Sequence, residues 1–331
     1  MKMHGRSLAV FLFTASLALL ACSEVAAQTA PAYPNKPVKI VITLAAGGSN
    51  DIIARLFAQK FSEQLKQPFL VENRAGGGGI PGTDYVAKSP ADGYTLLLGN
   101  TTGFGIQPGL FSKLPYDTQR DFAPISILTL TASVLVVNSS LPARSVSELV
   151  ALAKESPQKL NYGSPGNGSP YHLSAELFKA RTGIDMIHVP YKGVAPELID
   201  LIAGRVQLMF ANVPEVMQHI KTGELRPIAS TGLKRFASLP DVPTLAESGV
   251  NNAESLAWFV LVAPKGTPKE IIGKLNAEVI KAEGLPEVRQ RLYELSFEPV
   301  GNSPDAAEAF IRRDREKWAR VIKDSGAKVD N

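Results

Sequence analysis

The chain has 331 residues, of which 45% are apolar, 20% charged and 7% aromatic, a globular composition that excludes a disordered, collagen-like or coiled-coil protein. Such a length holds two ordinary domains more comfortably than one. Lys plus Arg number 35 against 31 Asp plus Glu, giving +4, and no basic run exceeds Arg312-Arg313, so no nucleic-acid surface is expected.

Lys2 and Arg6, an apolar stretch from Leu8 to Ala21 broken by Thr14 and Ser16, and Val25-Ala26-Ala27 before Gln28 follow the order of a cleavable export signal, residues 1–27. The stretch is too short for a permanent bilayer anchor. Removing 27 of the 331 residues leaves 304, without a cysteine, and places the protein in the periplasm. Leu19-Leu20-Ala21-Cys22 offers an alternative, a lipobox that would lipidate Cys22, to which Leu20 is a poor fit.

Beyond the signal, Val38 to Leu44 is a continuous β-branched run of buried-strand type. Ala45-Ala46-Gly47-Gly48-Ser49-Asn50-Asp51 follows, and from Ile52 the period turns helical, with Ile53, Leu56, Phe57, Phe61 and Leu65 on one face. Phe69 to Glu72 reads as a second strand, Asp84 to Lys88 as part of a second helix, and Tyr94 to Leu98 as a third strand ending at Gly99-Asn100-Thr101-Thr102. This alternation predicts a parallel sheet covered by helices. Strands over 128–137, 160–164, 186–191, 206–211 and 225–230, alternating with helices over 146–154, 172–181, 196–203 and 214–221, form a second such layer. The Pro- and Asp-rich segment 239–252 reads as a connector, Trp258 to Ala263 as one more strand, and the tail from Pro268 as helices broken near Gly284-Leu285-Pro286 and Gly301-Asn302-Ser303-Pro304. The last helix carries Ala307, Ile311, Trp318 and Ile322 on one stripe and needs a sheet to cover, so the chain returns to its first unit. The expected architecture is α/β with two lobes, each a mostly parallel sheet flanked by helices, joined by two hinge crossovers. Lobe 1 takes 34–127 plus 257–331, and lobe 2 takes 128–256.

Catalytic constellations are thin. His172, His188 and His219 belong to no H-E-x-x-H pattern, no cysteine pair exists and no G-x-S-x-G elbow occurs, so neither metal nor thiol chemistry is indicated. His188 alternates with Met186 and Pro190 in an apolar strand and reads as a core histidine. Gly77-Gly78-Gly79-Ile80-Pro81-Gly82 matches G-x-G-x-x-G in form, but it does not follow the first strand, and no acidic residue stands about 20 positions later. It reads as a turn packing helix on strand, and no cofactor is expected.

Two loops are more informative: Gly47-Gly48-Ser49-Asn50-Asp51 and Ser164-Pro165-Gly166-Asn167-Gly168-Ser169-Pro170-Tyr171-His172. Each ends a strand and opens a helix, where backbone N–H groups and the helix dipole favour an anion. Glycine admits close approach, and Ser49, Ser164 and Ser169 add hydroxyls. Two such cradles facing each other across a hinge suit a small carboxylate or dicarboxylate. The competing reading is that Ser49, Asn50 and Ser169 only cap their helices. Asp51 either pairs with Arg55 at i+4 or accepts a ligand hydroxyl, amine or water. His172, near a helix start, should be held neutral. Asn100, Thr101 and Thr102 at the end of the third strand and Tyr191 at the end of another complete the candidate ligand-binding set with Gly47, Gly48, Ser49, Asp51, Ser164, Gly168, Ser169 and His172.

Ala46-Gly47-Gly48-x-x-Asp51-x-x-Ala54-Arg55, Val71-Glu72-Asn73-Arg74, Asp92-Gly93-Tyr94-Thr95-Leu96-Leu97, Tyr162-Gly163-Ser164 through His172-Leu173-x-x-Glu176-Leu177-Phe178, Val189-Pro190-Tyr191-Lys192-Gly193, Asp241-Val242-Pro243-Thr244 and Ala263-Pro264-x-Gly266-Thr267-Pro268 resemble, in order, the Bug-type substrate-binding proteins of tripartite tricarboxylate transporters. The resemblance implies a periplasmic Venus flytrap without catalysis, holding a carboxylate between the same two loops; delivery to membrane permease subunits is expected, with no cofactor, and a monomer is expected though the sequence leaves the oligomeric state open. Where such proteins usually carry Pro-Phe after the first strand, this chain has Thr43-Leu44. Two other readings stay open: an exported hydrolase or isomerase using Asp51 and His172 as base and acid, and a ligand-sensing module for a signalling partner.

Overall fold

The computed structural model describes residues 33–44 and 46–327. The export signal, its cleavage point and Cys22 lie outside the described residues.

In chain order the elements are β1 (Val38–Ile42), α1 (Ser49–Leu65), β2 (Phe69–Asn73), α2 (Ile80–Ala87), β3 (Thr95–Asn100), a π-helical turn (Thr101–Ile106), α3 (Gln107–Leu110), β4 (Phe122–Asn138), α4 (Val146–Glu155), β5 (Asn161–Ser164), α5 (Pro170–Thr182), β6 (Ile187–Pro190), α6 (Val194–Ile202), β7 (Leu208–Asn212), α7 (Val213–Lys221), β8 (Leu225–Ser230), β9 (Leu256–Pro264), α8 (Lys269–Glu283), α9 (Pro286–Glu294), β10 (Glu298–Pro299) and α10 (Pro304–Ser325). The helical tail breaks at both expected places, because Pro286 and Pro304 stand in the first turns of α9 and α10 and cannot continue a preceding helix.

β4 has 17 residues, about three times an ordinary strand, because it serves two sheets. Phe122 to Ala132 pairs antiparallel with β9, whereas Ser133 to Asn138 pairs antiparallel with β7 and β8. The first sheet runs β2-β1-β3-β9-β4 with β10 added on β4, and the second continues from β4 through β7 and β5 to β6. β1, β2 and β3 are parallel, as are β5, β6 and β7. The antiparallel pairs come from the strands that cross between lobes, which must run against those they join. The C-terminal ends of β1 and β3 therefore open on one edge of their sheet, and those of β5, β6 and β7 on one edge of theirs.

Burial on both faces explains the unbroken apolar run in β4. Leu135 and Val137 join Tyr162, Phe178 and Phe210 on one side of the second sheet, and Val134 and Val136 join Leu201, Met209 and Val216 on the other. In the first lobe, Val41, Leu97, Phe104, Trp258, Val260 and Ile311 form the core. α10 returns to this lobe and packs on β4 and the π-helical turn. Its buried Asp314 accepts hydrogen bonds from Trp258 Nε1 at 2.7 Å and Trp318 Nε1 at 3.0 Å. A further apolar seam, Ile106, Trp318, Val321 and Ile322 against Leu173 and Leu177 of α5, joins the lobes.

Candidate functional site

The loop after β1 opens α1 in an unusual way. The N-cap is Gly48, not Ser49 or Asn50, and no side chain caps the helix, so the competing capping reading fails for this loop. The first-turn amides, which have no acceptor within the helix, are left open beside the exposed Gly48 and half-buried Ser49. Asn50 is buried, and its Nδ2 lacks an acceptor among the described residues. The sequence offered Asn50 only as a cap.

Asp51 is buried and engaged from three sides. Arg55 meets its carboxylate at 2.9 Å, Gly47 N donates to Oδ2 at 3.1 Å and Asn73 Nδ2 donates to Oδ1 at 3.2 Å. The Arg55 hydrogen bond, helped by the Gly47 and Asn73 donors and opposed by burial, holds its pKa down to about 2. Asp51 thus shapes the turn and takes up the Gly47 N–H, which corrects the expectation that this amide faces a ligand.

The second loop repeats the device at the same spacing. Gly168 N donates to His172 Nδ1 at 3.0 Å, so a side chain four positions on again accepts the loop glycine's amide. Burial lowers the His172 pKa; the ring is neutral, and accepting at Nδ1 leaves its proton on Nε2. More of this loop's donors are spent internally than the sequence suggested: Ser169 N donates to Gly166 O at 3.2 Å, and Gly166 N to Ser164 Oγ at 3.3 Å. Ser164 is wholly buried, with its hydroxyl 2.7 Å from His188 Nε2 and 3.0 Å from Gly166 O. It supports the loop from beneath, a correction to its expected place as a ligand donor. Ser169 does cap α5, accepting from His172 N at 3.2 Å, and its hydroxyl proton stays available for an acceptor.

Beneath this loop Tyr162, His188 and His172 stack, the two imidazoles 3.9 Å apart. Burial first, then the His172 ring and Lys179, push the His188 pKa down to about 4. Tyr191 N donates to Ser164 O at 2.8 Å, while its hydroxyl donates to Asp200 at 2.9 Å. Burial and Asp200 raise its pKa to about 12, so the main chain, not the phenol, belongs to the loop.

At the end of β3, Asn100 Oδ1 accepts from Gly103 N at 2.9 Å, and buried Thr101 accepts from Trp258 N at 2.7 Å. Both fix the π-helical turn, leaving half-buried Thr102 beside them. The glycine run after β2 is a packing turn: a Cβ on Gly79 would stand 2.9 Å from Thr43 Cβ, and one on Gly82 3.1 Å from Thr43 Cγ2. Thr43 is buried there, while Leu44 projects with 46% of its surface exposed. A groove of about 690 Å³ between α5 and α10 is lined by Lys179, Arg181, Lys317 and Arg320, along the flank of α5 and not at its loop. Among the described residues, no group of three His, Cys, Asp or Glu could hold a metal, and no helix is long and apolar enough to cross a membrane.

Two α/β lobes joined by two crossings, with glycine-serine loops at the strand ends, define the class of two-lobed solute-binding proteins. The chain belongs to the tripartite tricarboxylate transporter family receptor (TctC), whose model matches residues 53–327. It is 37% identical to protein BugT of Bordetella pertussis over 97% of this chain and 96% of that one. Among solved structures it is similar to R. palustris Rpa4515 with adipate (38% identity, TM-score 0.77, covering 89% and 99% of the two chains). It is also similar to MatC from Rhodopseudomonas palustris with bound malate (31% identity, TM-score 0.72, covering 88% and 100%). The family is one of receptors, not enzymes, and the residues once paired as base and acid, Asp51 and His172, are both committed to holding a loop glycine.

Proposed function

We propose that this protein is a periplasmic receptor that captures a small organic carboxylate or dicarboxylate between the Gly47–Asp51 and Ser164–Ser169 loops and delivers it to the permease subunits of a tripartite tricarboxylate-type transporter. The observation that carries this reading is the N-terminus of α1, where Gly48 leaves the first-turn amides without a side-chain cap and the Asn50 amide keeps an unpartnered donor. The adipate and malate of the two similar structures support the ligand class. The export signal over residues 1–27 supports the location, with lipidation at Cys22 as its alternative. The lobes follow the expected division, 34–127 plus 257–331 and 128–256, except at the crossings, where Leu128 to Ala132 and Leu256 still pair within the first sheet; the receptor acts as a monomer.

The energetics suffice without an Arg clamp. Micromolar capture is about −8 kcal/mol. Several hydrogen bonds to a charged group, at roughly 1.5–3 kcal/mol each, reach that after the costs of ordering. Gly48, Ser49, Asn50, Thr102 and Ser169 are the groups best placed to supply them. Calorimetry with adipate and malate tests the assignment: Ser49→Ala and Ser169→Ala should each bind at least several-fold more weakly while remaining folded, and wild-type affinity in both would refute it.

A further inference from the structure

The two crossings between the lobes meet at one buried hydroxyl. β4 passes from the first sheet to the second between Ala132 and Ser133, and the return path leaves β8 at Ser230 and enters β9 at Leu256. Thr231, 1% exposed, stands between them. Ser133 N donates to Thr231 Oγ1 at 2.9 Å, and that hydroxyl donates to Ser255 O at 2.6 Å. The main chains repeat the tie, with Thr231 N to Ser133 O at 2.8 Å and Ser255 N to Thr231 O at 3.1 Å.

The network continues into the second lobe. Ser255 Oγ lies 2.6 Å from Ser174 Oγ, and Ser174 Oγ donates to Pro170 O at 2.7 Å. Ser133, Ser174 and Ser255 are all buried. With the Ser174 proton on Pro170 O, Ser255 Oγ is the donor to Ser174, so one ordered chain runs from the hinge to the first turn of α5 through both polar ends of Ser255: its carbonyl accepts from Thr231 and its hydroxyl donates to Ser174. That turn begins at the Ser169 cap. Buried and fully satisfied, such a chain has one preferred geometry, and breaking any member leaves a desolvated group without a partner.

We propose that Thr231 is a positioning residue for ligand capture: through Ser255 and Ser174 its hydroxyl locks the first turn of α5 to the hinge. The role in capture rests on the proposed carboxylate reading, whereas the mechanical link does not. A change in angle between the lobes alters the Ser133–Thr231–Ser255 geometry and is passed to the cradle, and an occupied cradle in turn favours one hinge angle. Hinge closure of this kind is carried by a few residues at element ends.

Amide hydrogen exchange on the ligand-free protein tests the link. In Thr231→Val and Ser174→Ala the amides of His172 and Leu173 should exchange at least tenfold faster, while the Gly183 amide at the far end of α5 stays as in wild type. Thr231→Ser, which keeps the hydroxyl, should restore protection. Unchanged exchange in the first turn of both variants overturns the proposal, as does equal acceleration at all three amides, which would mark general destabilisation. With adipate, affinity should fall about tenfold in Thr231→Val and recover in Thr231→Ser; an unchanged affinity in Thr231→Val overturns the role in capture. Wild-type protein that binds neither adipate nor malate overturns the carboxylate reading, while the exchange result still decides the link.

Discussion

Glu197 lies directly over Gly163: a Cβ on the glycine would stand 2.7 Å from Glu197 Cγ. The missing side chain in β5 is what admits the carboxyl of α6, which is fully buried and has neither oxygen partnered among the described residues. Burial first, then the nearby Glu215 carboxylate, push its pKa up to about 8. The folded protein therefore keeps a proton at pH 7 that the unfolded chain, with an ordinary value of 4.5, has released. Stability from this group is full below about 4.5 and is lost as pH rises towards 8, on the order of 4 kcal/mol in all. Glu197→Met keeps the volume and removes both unpaired oxygens, so it should raise Tm at pH 7 and flatten the decline between pH 5 and 9. Thermal melts at pH 7 and denaturant titrations at pH 5, 7 and 9 measure this. Glu283, also raised to about 8 by burial, titrates in both proteins and cancels in the difference; parallel profiles would contradict the assignment.

Asp51 should show the opposite pH dependence. Its pKa of about 2 lies below the ordinary 3.8, so its contribution is full above about 3.8 and is lost as pH falls through 2. Arg55, its main partner, is 55% exposed along its side chain, and solvent screening reduces the effect to about 1 kcal/mol. Asp51→Asn should lose about that much at pH 7 and nothing near pH 2. Its larger effect should be on ligand affinity, because the Gly47 turn loses the carboxylate that holds its amide; calorimetry with adipate should show a drop of several-fold.

Much of this was legible in the sequence. Continuous β-branched runs marked buried strands, the helical period of Ile53, Phe57 and Phe61 placed α1, and prolines marked the starts of α9 and α10. β10 was not legible, because a strand of two residues owes its existence to β4 beside it. The first six residues of β4 were missed because Pro124 and Ser126 break the apolar pattern, and its register shifts at that point. The two strand-to-helix loops proposed as cradles were marked by their glycines and serines. Which amides remain open did not, because that depends on where the side chains of Asp51 and His172 turn. Asn50 went unrecognised as a donor since the same residue is an ordinary cap.

Gly168 permits a test of which cost dominates. It adopts φ +71, and a Cβ there would stand 2.6 Å from Leu110 Cδ1 across the lobes. The leucine tip can rotate away cheaply, whereas a left-handed backbone costs a non-glycine residue about 1–2 kcal/mol. Gly168→Ala should therefore lose about that much stability and reshape the second cradle, weakening adipate binding roughly tenfold, a change of about 1.4 kcal/mol. Adding Leu110→Ala removes the contact but not the backbone strain, so the double variant should recover little; full recovery in calorimetry would show that the contact dominates.

The imidazole stack predicts acid sensitivity at the same loop. His188 has a pKa near 4 against an ordinary 6.5, so between those values the unfolded chain takes up a proton that the folded one refuses. Stability from this group is complete above about 6.5 and is lost as pH falls through 4. Since His188 is only half-buried, about 2 kcal/mol of the nominal effect should survive screening. The charged and titratable neighbours are His172 and Lys179, which oppose a proton on His188, and Glu176, which accepts from Lys179 at 2.9 Å and from the Tyr162 hydroxyl. His188→Phe preserves a ring between Tyr162 and His172 but cannot titrate. It should cost about 1 kcal/mol at pH 7 through the lost Ser164 partner, and should remove most of the decline in stability between pH 6.5 and 4. Imidazole proton resonances followed through that range provide the direct check: a His188 ring that titrates near 6.5 would mean that the stack is open to solvent and does not hold the second loop.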